Sequence, residues 1–487
     1  MAAALRRFGP GGAMIAAGAA ILAFLAAAAV LGRGVVLPQA PVQEPRGRNL
    51  VVIIIDTIRQ DVFDSVVAET EEGRRFRVSL EDAAWFSNTV AAAPWTAPSV
   101  GSIMTGLYPG EHGFGRTTED PSRPLQRLKD SVPTVAERLS ARGYETMGIV
   151  TNSLLHPVSG INRGFSYYKL LQAGTEKLPM MTVAVRMGLV RRELYQSAES
   201  TRRHLEGRVN RLAESDRPFF LWLHLMDPHA PLHEHPDLPP GIGHETLPAP
   251  DRLYRDEVRY VLSETAQMIE LLKSRIDWDE TVTLVVGDHG EMFPSDGREA
   301  SAEIFGGDPM LQGHGHALYD ELVHVPLVIR PAGGIGSGRA LEALVSHVDL
   351  MATISDLLGV DPLPVPDGRF SVAAQLEPAT PPNAVAARSE AYAGATQRGP
   401  LQFAIRSRDF KLVYYPNGDR ATEIYDLVED PDEHNNLARE GHPLAEDAVE
   451  KVAKHAFVMS TMDHAEAIAF DRDTREQLEA LGYLKVD

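Results

Sequence analysis

Residues Asn49 to Ile55 read NLVVIII, an uncharged run closed by Arg48 on one side and Asp56 on the other. A β-branched run with no polar alternation suits a strand buried on both faces rather than one with a wet side. The pattern recurs at Phe219–Leu225, at Thr281–Val286 and at Val323–Ile329. Helical patterns lie between these runs. Glu257 to Lys273 places Val258, Val261, Leu262, Thr265, Ile269 and Leu272 on one face, a 3.6-residue period. Ser131 to Arg142 opens with Val-Pro-Thr and stops before Gly143, a helix start and stop. Strands alternating with helices predict an α/β domain, a mostly parallel central sheet between helices. Such sheets collect ligands at the carboxyl ends of their strands. Asp56, Asp227 and Asp288 follow three of the runs, so three carboxylates are expected on one rim. From about Phe370 the texture changes. Phe403–Tyr415 reads as two short strands around a polar turn and Glu423–Leu427 as another, predicting a small antiparallel C-terminal subdomain over residues 370–487.

The 67 acidic residues outnumber the 47 Lys and Arg, for a net charge of -20. That balance argues against nucleic acid as a partner, which needs a basic surface. It leaves room for an anionic substrate, because one bound cation reverses the field inside a pocket. Cysteine is absent, which removes disulfides, thiolate catalysis and Cys-based zinc sites from consideration.

Arg6 and Arg7 precede an uncharged apolar run over residues 13–32, and Arg33 follows it. About 20 apolar residues span a bilayer as a helix, longer than the ~7–15 of a signal-peptide core. The expectation is a cytoplasmic segment 1–12, a transmembrane signal anchor 13–32, a Pro/Gly-rich linker 33–48 and an extracytoplasmic, periplasmic catalytic domain 49–369. The alternative is a secreted protein, cut near Ala26 to Ala29.

Four further segments carry chemistry. Pro94 to Gly113 reads PWTAPSVGSIMTGLYPGEHG, with Pro98 and Ser99 opening a short helix that ends at Gly106. Thr96 then precedes a helix N-terminus, where free N–H groups and the dipole favour an oxyanion. A hydroxyl held there beside a cation is a nucleophile; the plainer alternative is an N-cap. Gly287-Asp288-His289-Gly290-Glu291 follows a buried run, and Asp with His binds one cation through oxygen and imidazole nitrogen. His224-Leu225-Met226-Asp227-Pro228-His229 and Gly313-His314-Gly315-His316 add histidines at the same kind of position, whereas His156 and His347 read as satisfied core or surface groups.

In this order the segments resemble the sulfatase family, the sulfatase-like branch of the alkaline phosphatase superfamily. Ile53 to Arg59 (IIIDTIR) resembles its Asp-Thr-Leu-Arg opening. Thr96-Ala97-Pro98-Ser99-Val100 is similar to its Cys/Ser-x-Pro-Ser-Arg nucleophile motif, and Thr105-Gly106 and His112-Gly113 to the Thr-Gly and His-Gly pairs beyond that motif. Residues 224–232 resemble its HLMDPHAPY loop, with Leu232 in place of the aromatic. Asp288 to Glu291 matches its DHGE box, 313–327 its GHG…LYEE…VPL segment, and Lys411-Leu412, Glu423–Leu427 and Asp430–Ala438 its late motif. The resemblance covers about residues 49–438.

It implies one divalent cation (Ca, Mn, Mg or Zn) on Asp56, Asp288 and His289, with Thr96 completing the set and attacking the ester. It implies that His229 and His314 or His316 contact the substrate's anionic group or protonate the leaving oxygen. His112 would support the nucleophile segment, and His224 and Asp227 would lie beside the substrate. A second metal on Asp227, His229 and His314 is less favoured: two-metal relatives separate the Asp and first His by four positions, here two. The chain departs from the pattern at Thr57, where the family has a second Asp, at Val100 and at Thr96 itself. Threonine cannot become the formylglycine of sulfatases by their route. The set resembles threonine-nucleophile phosphodiesterases and phosphotransferases, which pass through a phospho-threonine. A threonine ester of phosphate is released by a second in-line displacement, whereas a sulfo-threonine resists hydrolysis. The expected activity is therefore cleavage or transfer of a phosphoester from a lipid headgroup, a glycan or a small diester. The competing expectations are a sulfuric ester hydrolase and a binding protein with a decayed site.

Overall fold

The computed structural model describes residues 47–115, 125–172, 196–239, 246–297, 313–334, 338–360, 369–377, 388–418, 420–439, 445–461, 465–481 and 483. Its centre is an eight-stranded sheet. The strands are β1 (Asn49–Ile55), β2 (Ala84–Val90), β3 (Glu145–Val150), β4 (Tyr167–Leu170), β5 (Phe219–Leu225), β6 (Thr281–Gly287), β7 (His324–Arg330) and β8 (Ala340–Ser346), in spatial order β4-β3-β5-β1-β6-β7-β2-β8. β4, β3, β5, β1 and β6 run parallel. β7 pairs antiparallel with both neighbours, β6 and β2, and β8 pairs parallel with β2. The run at 323–329 is thus a strand as expected, but the one that opposes the rest.

β1 explains why its sequence has no polar alternation. Leu50, Val52 and Ile54 enter one apolar cluster while Val51, Ile53 and Ile55 enter another, on the opposite face. All six are at most 1% exposed, and burying each such side chain is worth about 1.5–3 kcal/mol. The long helix Ala249–Lys273 covers one face through Tyr254, Val258, Val261, Leu262 and Ile269. The helices Thr96–Thr105 and Leu350–Leu358 cover the other through Ala97, Val100, Ile103, Met351 and Ile354. The helix expected over 131–142 is shorter, Val135–Ser140, because Thr134 caps it: its side chain accepts from Glu137 N and the Glu137 carboxylate accepts from Thr134 N.

A second, antiparallel sheet has the order β12-β11-β10-β9, from β9 (Ala391–Ala393), β10 (Phe403–Arg406), β11 (Phe410–Tyr414) and β12 (Glu423–Asp426). The helix Ala445–Thr461 packs on it through Ala448, Val452 and Ala456. The fully buried Lys411 ammonium ties this sheet to the short helix Asp320–Val323 that leads into β7, 2.8 Å from Asp320, and lies 2.7 Å from Glu433. Among the described residues no helix is long and apolar enough to cross a membrane. The expected anchor 13–32 and segment 1–12 lie outside the described residues.

Candidate active site

Asp56 leaves the carboxyl end of β1, and Asp288 and His289 leave that of the adjacent β6. The chain after Asp56 is held in an uncommon shape. Thr57 has φ of +52°, a left-handed conformation disfavoured for a β-branched residue and characteristic of functional sites. Its N–H donates to Asp288 Oδ1 (3.1 Å), and its carbonyl accepts from the Tyr254 hydroxyl (2.6 Å). Asp288 Oδ1 also accepts from His289 N (2.8 Å). One oxygen of each carboxylate, Asp56 Oδ1 and Asp288 Oδ2, accepts no hydrogen bond although both residues are 0% exposed. His289 Nδ1 lies 2.9 Å from the Gly290 carbonyl, which can only accept. The proton is therefore on Nδ1, and Nε2 turns its lone pair to Asp56 Oδ1 (3.4 Å) and Asp288 Oδ2 (3.6 Å). Ligand atoms of Asp56, Asp288 and His289 all fall within 4.8 Å of one another. Orphaned buried carboxylate oxygens beside an oriented imidazole fit a divalent cation, with the backbone carbonyl fixing the ligand tautomer. Gly290 lets this loop pass the chain behind it, since a Cβ there would meet Glu321 O at 1.9 Å.

Thr96 opens the helix Thr96–Thr105, with Trp95 as the N-cap residue. It therefore stands inside the first turn, one position further in than the sequence suggests, and its hydroxyl does not cap the helix. Oγ1 instead meets His289 Nε2 (3.3 Å), Asp56 Oδ2 (3.4 Å) and the Tyr483 hydroxyl (3.1 Å). Two side chains pin the helix. Ser99 Oγ donates to Asp288 O (2.5 Å) and meets His347 Nδ1 (3.0 Å). His112 donates from Nε2 to Pro98 O (3.1 Å) and accepts at Nδ1 from Phe114 N (3.0 Å). Both His112 ring nitrogens are thus engaged with the backbone at the two ends of this segment. Gly101 makes room for that ring, as a Cβ would meet it at 2.5 Å.

The family model described as "Sulfatase" matches residues 48–360, most of the chain, including each of these side chains but Tyr483. The chain belongs to the sulfatase family. A second model, "N-sulphoglucosamine sulphohydrolase, C-terminal", matches residues 315–456 of this sulfatase-family chain. It is 25% identical over 317 residues to the "Low-salt glycan biosynthesis sulfotransferase Agl7" of Haloferax volcanii, covering 64% of this chain and 61% of that one; it thus spans less than two thirds of that relative. It is 20% identical over 440 residues to a Bacteroides thetaiotaomicron "Delta 4,5-hexuronate-2-O-sulfatase", covering 82% and 86%. Among solved structures, the phosphonate monoester hydrolase SpPMH of Silicibacter pomeroyi aligns with a TM-score of 0.61 at 20% identity, covering 85% of this chain and 96% of that one. At that identity the likeness concerns the fold, the mixed α/β core with its smaller antiparallel sheet.

Against this sulfatase frame, the other expected residues divide. His229 follows β5 and points Nε2 at the Tyr483 hydroxyl (2.9 Å). His314 packs its ring 4.5 Å from that of His289 and 5.0 Å from that of His229, and its Nδ1 lies 3.3 Å from both Glu291 carboxylate oxygens. His224, on β5, brings Nε2 to 3.7 Å from Asp56 Oδ2, and neither of its ring nitrogens makes a hydrogen bond. These three join the site. Asp227 does not. Its carboxylate accepts from Ala198 N (3.0 and 3.1 Å) at the start of the helix Ala198–Glu206, because a free helix N-terminus lies closer than the rim. The second-metal set loses its acid in this way, and two of the three strand-end carboxylates converge rather than three. His316 is buried beside Arg398, its carbonyl accepting from Gln402 Nε2 (2.7 Å). His347 is a buried core histidine on Ser99, and the half-buried His156 accepts from Val158 N at its ring.

Asn152 and Tyr483 are the residues that sequence reasoning missed. Asn152 donates to Asp56 Oδ2 (2.8 Å), with Thr96 Oγ1 at 3.3 Å and the Tyr483 hydroxyl at 3.2 Å. It follows the buried run of β3, so the strand-end rule could have found it. Tyr483 comes from the far C-terminus and carries no motif signal. Burial sets the charge state of the whole sulfatase site. It raises Asp56 to about 7, with the Glu291 charge adding and the Asn152 and Thr96 hydrogen bonds opposing. It raises Asp288 well above the usual carboxylate range, helped by the Asp56 charge. It lowers His289 and His314, and lowers His229 to about 4 and His224 to about 3. The imidazoles are neutral at pH 7, the form that ligates or accepts a proton.

Proposed function

We propose that this member of the sulfatase family is a metal-dependent phosphoester hydrolase or transferase with Thr96 as its nucleophile. The observation that carries the reading is the position of Thr96 Oγ1, 3.4 Å from Asp56 Oδ2 and 3.3 Å from His289 Nε2, beside two orphaned carboxylate oxygens. A bound divalent cation would supply charge that stabilises the Thr96 alkoxide and polarises the ester. Asp56, Asp288 and His289 would hold it, and the N-terminus of the helix Thr96–Thr105 would favour the developing negative charge. Thr96 then attacks phosphorus to form a phospho-threonine, which water or an acceptor alcohol displaces. His314, held by Glu291, is placed to contact the anionic group.

Two observations favour other readings. The named curated relatives include sulfatases acting on sugars, which supports a sulfate ester on a glycan. Thr96 is 0% exposed beneath Tyr483, which supports a binding protein that has lost turnover. Purified protein with manganese decides among the three. Faster cleavage of an aryl phosphodiester than of the matched aryl sulfate is the expected result. The reverse order supports the sulfatase reading, and intact metal binding with no turnover of either ester supports the third.

The proposal includes an N-terminal tether over residues 13–32 that holds the domain outside the cytoplasmic membrane, supported by that apolar run alone. Protease added to spheroplasts should then degrade the domain, and its full protection there counts against the placement.

A further inference from the structure

Between Tyr483 and His229 the direction of hydrogen bonding is set by a group that has no choice. His229 Nδ1 lies 2.6 Å from the Ala230 carbonyl, which only accepts. Nδ1 therefore holds the ring proton, and Nε2 offers a lone pair. The Tyr483 hydroxyl, 2.9 Å from Nε2, must donate to it. Its oxygen is left to accept, and Thr96 Oγ1 lies 3.1 Å away, nearer than the two other acceptors its proton can reach, His289 Nε2 (3.3 Å) and Asp56 Oδ2 (3.4 Å). Asn152 reinforces this direction. Its Oδ1 accepts from Leu154 N (2.9 Å), so its amide N–H groups face Asp56, Thr96 and Tyr483. The result is a continuous chain from the Thr96 hydroxyl through the Tyr483 hydroxyl to His229 Nε2, its direction fixed at the His229 end.

We infer that Tyr483 is a further catalytic residue of this site, relaying the Thr96 proton to His229 as Thr96 attacks the ester. The inference rests on the reading of Thr96 as the nucleophile. In the step, the Thr96 O–H bond breaks and its proton moves to the Tyr483 oxygen. The phenol's own proton moves to His229 Nε2, and Tyr483 ends as it began. The electron pair left on Oγ1 forms the bond to phosphorus, and the bond to the leaving oxygen breaks with its pair on that oxygen. In the second displacement Oγ1 leaves phosphorus and recovers its proton along the same chain. The proton released by the attacking water or alcohol neutralises the first leaving oxygen.

The tail is fastened so that the phenol keeps this place. Asp471 accepts from Thr474 N (2.8 Å) to cap the helix Arg472–Ala480. Beyond it, Tyr483 N donates to Leu478 O (2.9 Å) and the Tyr483 carbonyl accepts from Gln397 Nε2 (3.1 Å). Upstream, Ile468 N donates to Leu125 O (2.7 Å). None of these bonds uses the hydroxyl, so phenylalanine fits the same anchorage and removes only the relay.

The test is Tyr483→Phe in the full chain, with manganese and an aryl phosphodiester. The expected result is a kcat about a hundredfold lower, the low end of general acid–base contributions, with KM and Tm unchanged. His229→Gln should lose a similar factor, and the double variant little more than either alone. Turnover of Tyr483→Phe at or above the wild-type rate overturns the relay, and a rise would mark the tyrosine as an obstruction. A second readout needs no turnover. The His229 Nε2 nitrogen resonance should move between wild type and Tyr483→Phe as it loses its donor; an unchanged resonance overturns the relay. Absence of wild-type turnover with that shift present would instead count against the phosphoester reading alone.

Discussion

Thr96→Ala is expected to lower kcat/KM on an activated phosphodiester by at least about four orders of magnitude, the scale on which enzymes lose a nucleophile. The loss should be selective. The methyl group of alanine stays within a helix whose register depends on Ser99, His112 and the apolar side chains Val100 and Ile103. Asn152 keeps its bond to Asp56 when the hydroxyl is gone, so no amide is stranded. The fold and the cluster of Asp56, Asp288 and His289 should therefore persist. Thr96→Ser retains a hydroxyl at the same atom and should recover a large part of the rate. Activity that survives Thr96→Ala, measured beside a catalytically dead His289→Ala control, would remove the nucleophile assignment.

The second large effect reverses sign with metal. Asp288→Asn should bring turnover to background and abolish the rise in Tm on adding manganese, which a site binding only the folded state must produce. Without metal the same variant should be more stable than wild type at pH 8. Asp56 and Asp288 are buried side by side, and Asp56 is pushed up to about 7. A carboxyl whose folded-state pKa is raised stabilises fully below its unfolded value near 4. It loses that contribution as pH rises through the folded one. Asparagine removes one of the two charges and still offers Oδ1 to Thr57 N and His289 N. The metal-free gain should amount to a few degrees at pH 8 and shrink toward pH 4. Calorimetry at both pH values, with chelator and with manganese, checks it. A metal-free variant less stable than wild type at pH 8 would mean that the carboxylates are satisfied without a cation.

Asp56, Asp288 and His289 were legible for one physical reason. Each leaves the end of a run with no polar alternation, and parallel strands deliver such ends to one rim. β1 and β6 are neighbours in the sheet, so their acids meet. Asp227 obeyed the same rule in sequence and failed it in space. The helix Ala198–Glu206 presents an N–H within reach, and a buried carboxylate takes the nearer donor. Asn152 was readable from the same rule but lacks the charge that draws attention to an acid. The small antiparallel sheet was legible from its alternating short runs, apart from the three-residue β9, which is too short to set a period.

Tyr483 belongs to another category. Nothing in its neighbourhood of the chain marks it, and it lies 387 positions from Thr96. By itself the sequence determined the fold class, the family and the pair of strand ends that carry the acids. These depend on local periodicity and on motifs whose residues act near where they are written. Only the tertiary structure decided which strand-end acid turns away, which way each imidazole points, and what covers Thr96. Those outcomes depend on the donor that folding brings closest to each buried polar atom, a distance in space that order along the chain does not encode.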